Sequence, residues 1–115
     1  MAEALLDLVA LEKTLRYARR TLGPDVTVQR LLVLVAVYGN EGASQSELLG
    51  TLGDISITAL SRNLADLSAL TSRKTPGPGL IELRVDPLNL RRKQVYLTAR
   101  GRRFFARWPR ATAAA

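Results

Sequence analysis

A mainly helical domain closed by one small β-hairpin is the fold class the sequence predicts, and three observations predict it. Apolar residues recur at steps of three and four as far as Leu67; the apolar period then drops to two between Ile81 and Thr98; and a last helical stretch follows. At 115 residues, 47% of them hydrophobic, the chain has the length of one domain and enough apolar material for a core. We expect a single domain over 1–110, with a frayed tail over 111–115.

The composition also excludes much chemistry. There is no Cys and no His. Disulfides, the usual zinc sites and any Ser-His or Cys-His nucleophile pair are therefore ruled out. The longest apolar run, Leu31 to Tyr38, falls far short of the roughly 20 residues of a membrane helix. The opening Met-Ala-Glu-Ala-Leu-Leu-Asp lacks the basic region of a signal peptide. Carboxylates such as Glu3 and Asp7 fall on solvent-facing helix positions with no partner for acid–base work. The expectation is a soluble cytoplasmic protein that is not an enzyme and uses no cofactor, metal or membrane.

Formal charge is +7 but unevenly spread. Residues 1–72 hold six basic and eight acidic side chains; residues 73–115 hold eleven basic ones against Glu82 and Asp86. A basic third of this kind suits a polyanion, because neutralising phosphates releases condensed counterions. It also suits a merely solvated surface, so spacing has to decide.

Ala4, Leu8, Leu11, Leu15, Ala18 and Leu22 fall at alternating steps of four and three, along one helical seam that Leu5 and Val9 widen. Gly23-Pro24 ends this helix. Its stripe must be buried either on its own domain or on a second subunit, and a dimerisation helix over about 1–22 is the favoured reading. Asp25 or Thr27 caps a second helix running to Tyr38. Its all-apolar segment resembles a buried strand, but the capped span is too long for one. Ser44-Gln-Ser-Glu47 has the spacing of a capping box and starts a short third helix burying Leu48, Leu49 and Leu52. After the Gly53-Asp54 turn, Ser56 caps a fourth helix over 56–70 whose buried side is Ile57, Leu60, Leu64, Leu67 and Leu70. Two short helices joined by a glycine-containing turn form a helix-turn-helix. The opposite face of the second one presents Thr58, Ala59, Ser61, Arg62, Asn63 and Asp66. Its first turns are small and polar, and Arg62 and Asn63 are types that pair with guanine and adenine edges.

Thr71 to Gly79 is a Pro/Gly-rich loop carrying Arg73 and Lys74. Ile81, Leu83 and Val85 alternate with polar residues; Asp86 to Arg92 reads as a turn; Val95 and Leu97 resume the alternation facing inward. The hairpin holds Arg84, Arg91, Arg92 and Lys93 at its tip and flanks. Thr98 caps a final helix to Trp108, anchored by Phe104, Phe105 and Trp108, and Pro109 stops it.

Four helices, a hairpin and a last helix make the order of a winged helix-turn-helix. Within it, ITALSRNLADL, GLIELRVDP and above all RRKQVYLTARG resemble the recognition helix, wing and post-wing signature of MarR-type transcriptional regulators. The resemblance spans roughly Thr27 to Phe105. It implies a dimer, with Ser56, Thr58, Ala59, Ser61, Arg62 and Asn63 in the major groove of double-stranded DNA and Arg91 and Arg92 as wing contacts against the minor groove. It makes Asp86 a brace for a wing arginine. Either Arg91 or Arg92 sits at the wing tip, since Asn89 and Leu90 stand where the family usually has an acidic residue. Arg73, Lys74, Arg84 and Lys93 are further candidate phosphate contacts. The chain resembles a short, C-terminally abbreviated member, so Leu8, Leu11, Leu15 and Leu22 with Phe104, Phe105 and Trp108 are expected to form the dimer. A small-molecule effector is not supported.

The expected function is a sequence-specific, nucleoid-associated transcription regulator, most simply a homodimeric repressor on a near-palindromic operator. The alternatives are a winged-helix protein-interaction module and an architectural or replication-origin DNA binder of a mobile element.

Overall fold

The computed structural model describes residues 2–109, so the tail expected over 111–115 lies outside them. Its elements are α1 (Ala2–Leu22), α2 (Val28–Gly39), α3 (Gln45–Leu52), α4 (Ile57–Leu67), β1 (Ile81–Asp86), β2 (Asn89–Leu97) and α5 (Ala99–Ala106). The winged helix-turn-helix order is present.

Local chemistry sets the helix starts. Thr27, Ser44, Ser56 and Thr98 each accept a hydrogen bond from a first-turn N–H, and Ser44 with Glu47 completes a capping box. The all-apolar segment is helical, as its cap predicts. It contributes Val33, Leu34, Ala36 and Val37 to the core. Leu48 of α3, Leu60, Leu64 and Leu67 of α4, Leu80 and Ile81, Val95 and Leu97 of β2 and Phe104 of α5 meet them there. Ile57 and Leu70, expected inward, are 50% and 52% exposed. Ile57 stands in the first turn of α4, beyond the edge of the core, and Leu70 lies past the end of a helix that stops at Leu67 rather than at residue 70.

The hairpin differs from the sequence reading. β2 begins at Asn89 instead of Lys93, and Asp86 pairs with Asn89, so the turn is only Pro87-Leu88. The register is regular from Ile81↔Leu97 to Val85↔Lys93, then breaks, leaving Leu90, Arg91 and Arg92 as an unpaired swelling of β2. Neither Arg91 nor Arg92 is therefore at the tip. β2 also has a second partner. Gly42 N–H donates to Val95 O at 2.8 Å and Val95 N–H to Ala43 O at 2.9 Å, so the segment before α3 closes the free edge of β2 and ties the wing to the helices.

Gly101 explains the glycine of the post-wing signature. A Cβ there would lie 2.0 Å from Leu80 O, so only glycine lets α5 approach the start of the hairpin this closely. α1 docks only by its last turns. Ala18 is fully buried, the Tyr17 ring stacks on Phe104 at 4.8 Å, and its hydroxyl donates to Phe104 O. Burial pushes the Tyr17 phenol up. Ahead of that contact, Leu5, Leu6, Leu8, Leu11 and Leu15 are exposed.

Candidate nucleic-acid interface

The first half of α4 projects from the body with Ser56, Thr58, Ser61 and Arg62 exposed and Ala59 half-buried. Ser56 spends its hydroxyl on the cap, accepting from Ala59 N–H at 3.1 Å. Ser61 reaches Gln45 of α3 at 3.4 Å. Arg62 enters no ion pair among the described residues.

Asn63 is a correction to the sequence reading. Its side chain is buried rather than offered to a base. The amide donates to Gln29 Oε1 at 3.1 Å and Ala59 O at 2.8 Å and accepts from Arg30 Nε at 3.2 Å. With its donors and acceptor so engaged, Asn63 fixes α4 against α2. Arg30 extends the network to Asp66 Oδ2 at 2.7 Å, and Asp66 Oδ1 accepts from Ser72 N–H at 3.0 Å and its hydroxyl at 2.8 Å. Burial of Asp66 works against its charge, but Ser72 and the Arg30 and Arg73 guanidinium groups outweigh it and hold the carboxyl below its ordinary range. Arg30 and Gln29 were missed in the sequence. The one available signal was a lone Gln-Arg pair opening an otherwise apolar helix.

Asp66 in turn anchors the loop after α4. Thr71 and Thr75 close it through Thr71 N–H to Thr75 O at 2.9 Å, with Lys74 at the bend in the left-handed region, φ 62°. Arg73 and Lys74 are held exposed on this arm. Arg73, Arg62 and Arg20 border one concavity on that side of α4.

Across α4 lies the wing, separated by a cleft of about 740 Å³ lined by Gln45, Ser46, Ser61, Arg91, Arg92 and Lys93 among others, with no carboxylate in its lining. The wing cations divide in two. Arg92 pairs with Glu47 and lies 3.9 Å from Asp86, so it clasps the hairpin to α3. Hydrogen bonds from Ser44, with Arg92 adding to them, hold Glu47 below its ordinary range. Arg84 pairs with Glu82 and lies over the Tyr96 ring at 4.3 Å. Arg91 and Lys93 are exposed and enter no ion pair among the described residues. The Asp86 brace implied by the resemblance is thus present, with Arg92 as its partner.

Of the residues expected at a dimer seam, Leu8, Leu11 and Leu15 are 61%, 51% and 44% exposed. Phe104 is a correction: it is 4% exposed and belongs to the core. Leu22 is also partly buried against the core. Phe105 and Trp108 stack at 5.5 Å and border a shallow apolar depression with Val35 and Tyr38. Among the described residues no group of three His, Cys, Asp or Glu side chains is placed to hold a metal ion, and no helix is long and apolar enough to cross a membrane.

No family model and no curated protein matches this chain. Solved structures do. The PcaV transcriptional regulator from Streptomyces coelicolor, in complex with its natural ligand, is 21% identical with a TM-score of 0.58 over 93% of this chain and 66% of its own. A MarR family transcription regulator is 26% identical, TM-score 0.62, over 90% of this chain and 60% of its own. The transcriptional repressor CouR, bound to a 23-mer DNA duplex, is 27% identical, TM-score 0.62, over 97% of this chain and 70% of its own. The chain thus spans less than two thirds of the first two. Its helices, its helix-turn-helix and its wing are those of the MarR-type winged helix-turn-helix fold.

Proposed function

We propose that the chain is a sequence-specific, double-stranded DNA-binding regulator of transcription, acting as a homodimeric repressor in the cytoplasm, on the nucleoid. One observation carries the reading: Ser61 on the polar face of α4 and the wing cations Arg91 and Lys93, which enter no ion pair among the described residues, line one cleft, while Arg62 borders the concavity on the other side of α4. α4 fits the major groove, with Arg62 as base reader and Thr58, Ala59 and Ser61 as close-packing small residues. Arg91, Lys93, Arg73 and Lys74 supply phosphate affinity that weakens with salt. The exposed α1 stripe supports the dimer, and a two-fold dimer calls for half-sites about one helical turn apart. Sharing its fold with a repressor bound to a DNA duplex supports the same reading.

Selection of bound fragments from random duplexes tests it. We expect an inverted repeat. Arg62→Ala should cost about 1–3 kcal/mol on that repeat and relax preference at one position per half-site, whereas Arg91→Ala should weaken every duplex and flatten the salt slope by about one phosphate. Absence of any enriched motif, or equal effects of both variants on repeat and random DNA, would refute sequence reading.

A further inference from the structure

The wing ends in two leucines that its own turn does not use. Leu88 is 95% exposed and Leu90 77%. The polar neighbours make the turn: Asp86 Oδ1 accepts from Leu88 N–H at 2.9 Å, and Asn89 Oδ1 accepts from Arg91 N–H at 3.1 Å. Asp86 and Asn89 would hold this backbone with any side chains at 88 and 90. The base of the tip is fixed as well, because Arg92 is clasped by Glu47 and Asp86, and β2 is bonded on both edges further down. Exposed apolar groups on a stiff mount need an occupant, and the adjoining charges indicate which. Arg91 and Lys93 follow directly on β2, exposed and outside any ion pair among the described residues. An apolar protein pocket or a lipid surface would not by itself account for α4 and these cations bordering the same cleft. Duplex DNA accounts for the cations by its phosphates and for the leucines by its base stack.

We infer that Leu88 and Leu90 form an apolar wedge that enters the minor groove beside each half-site, partly unstacks one base step and bends the duplex toward the major groove. The inference rests on the DNA-binding reading above and adds to it the class of contact at the wing tip and a bent product. Small apolar side chains act this way in the minor groove, where wedges kink a step by roughly 20–90°. Pyrimidine–purine steps unstack most easily, so the wedge adds a preference at positions that α4 does not reach.

The experiment uses the full chain and a duplex containing the selected repeat. End-to-end energy transfer reports the bend, and 2-aminopurine placed at successive flanking steps reports unstacking. With the unaltered chain we expect a bend and one bright step on each flank. L88A with L90A, both at exposed positions, should abolish the bend, the fluorescence and the TA or CA preference at that step, while leaving the slope of affinity against salt unchanged. Arg91→Ala should do the reverse, lowering the slope by about 0.9 with the bend retained. A straight duplex, or a bend and step preference that survive the double substitution, overturns the wedge while the DNA-binding reading stands. If neither the unaltered chain nor any variant binds duplex, both fall together.

Discussion

α1 and α2 both carry apolar side chains in number, and those side chains end up in opposite situations. α2 buries Val33, Leu34, Ala36 and Val37 at the centre of the body, whereas over its first four turns α1 leaves Leu5, Leu6, Leu8, Leu11 and Leu15 in the open. Composition separates them in part, since α1 is amphipathic with charges along its length and α2 carries only Arg30. The elements packed around each helix complete the difference: α2 is enclosed by α3, α4 and the hairpin, while α1 packs on the core by Tyr17, Ala18 and Leu22 in its last turns. Stability of the body should thus belong to one chain, and stability of α1 to an assembly.

That contrast can be broken by measurement. The largest effect is expected inside the body. Leu64→Ala should destabilise the fold by about 2–5 kcal/mol, through lost burial and the cavity left behind. Urea titration should give the same loss at every protein concentration; a loss that grows on dilution would place part of the core in the assembly. Next comes the half-buried clasp that Asp66 makes with Arg30 and Ser72. Asp66→Asn should cost about 1.5–3 kcal/mol at neutral pH, the worth of hydrogen bonds to a charged group. Because the Asp66 carboxyl is held below its ordinary value in the folded chain, this contribution is complete above the ordinary carboxylate range and is lost as pH falls through the lowered value. Unaltered chain and variant should therefore converge in strong acid, and a gap that persists there would assign the effect to something other than the charge. The smallest effect belongs to α1. Leu11→Ser and Leu15→Ser, each half exposed, should cost roughly 1 kcal/mol apiece, visible only where the chain dimerises. Sedimentation should show the dimer weakened while urea midpoints at high dilution stay put. An unaltered chain that remains monomeric at high concentration would remove the contrast altogether.

Much of this architecture is legible in the sequence because local signals coincide with global needs. Thr27, Ser44, Ser56 and Thr98 mark helix starts by hydrogen bonds within three residues, and each does so in the structure. What escapes is set at long range. Asn63 reads as a base contact because, within its own helix, only the Ala59 carbonyl engages it and its oxygen is left open. The groups that claim it, Gln29 and Arg30, stand more than thirty residues earlier. Arg92 reads as a free wing cation until Glu47 is brought across to it. The wing turn escapes for a different reason: Pro87-Leu88 is no customary hairpin pair, and side chains of Asp86 and Asn89 supply the bonds that a favoured turn dipeptide would make unnecessary. Within the candidate interface, Thr58, Ser61 and Arg62 lie on exposed surface as the helical period of α4 predicts, whereas Arg91 and Lys93 are exposed because the outer half of the hairpin extends past the core, where the strand period no longer sorts inside from outside.

The junction at Tyr17 has a mechanical consequence. From there to Ala2, α1 runs about 22 Å at 1.5 Å per residue, held at one end where the Tyr17 ring stacks on Phe104 and meets Trp108 edge-on. It is a lever with its fulcrum in the aromatic cluster. A tilt of roughly 10° at that fulcrum swings the far end by about 4 Å, which is comparable to the rise of one base pair. In a dimer joined through α1, small adjustments of three rings would set the spacing of the two reading heads.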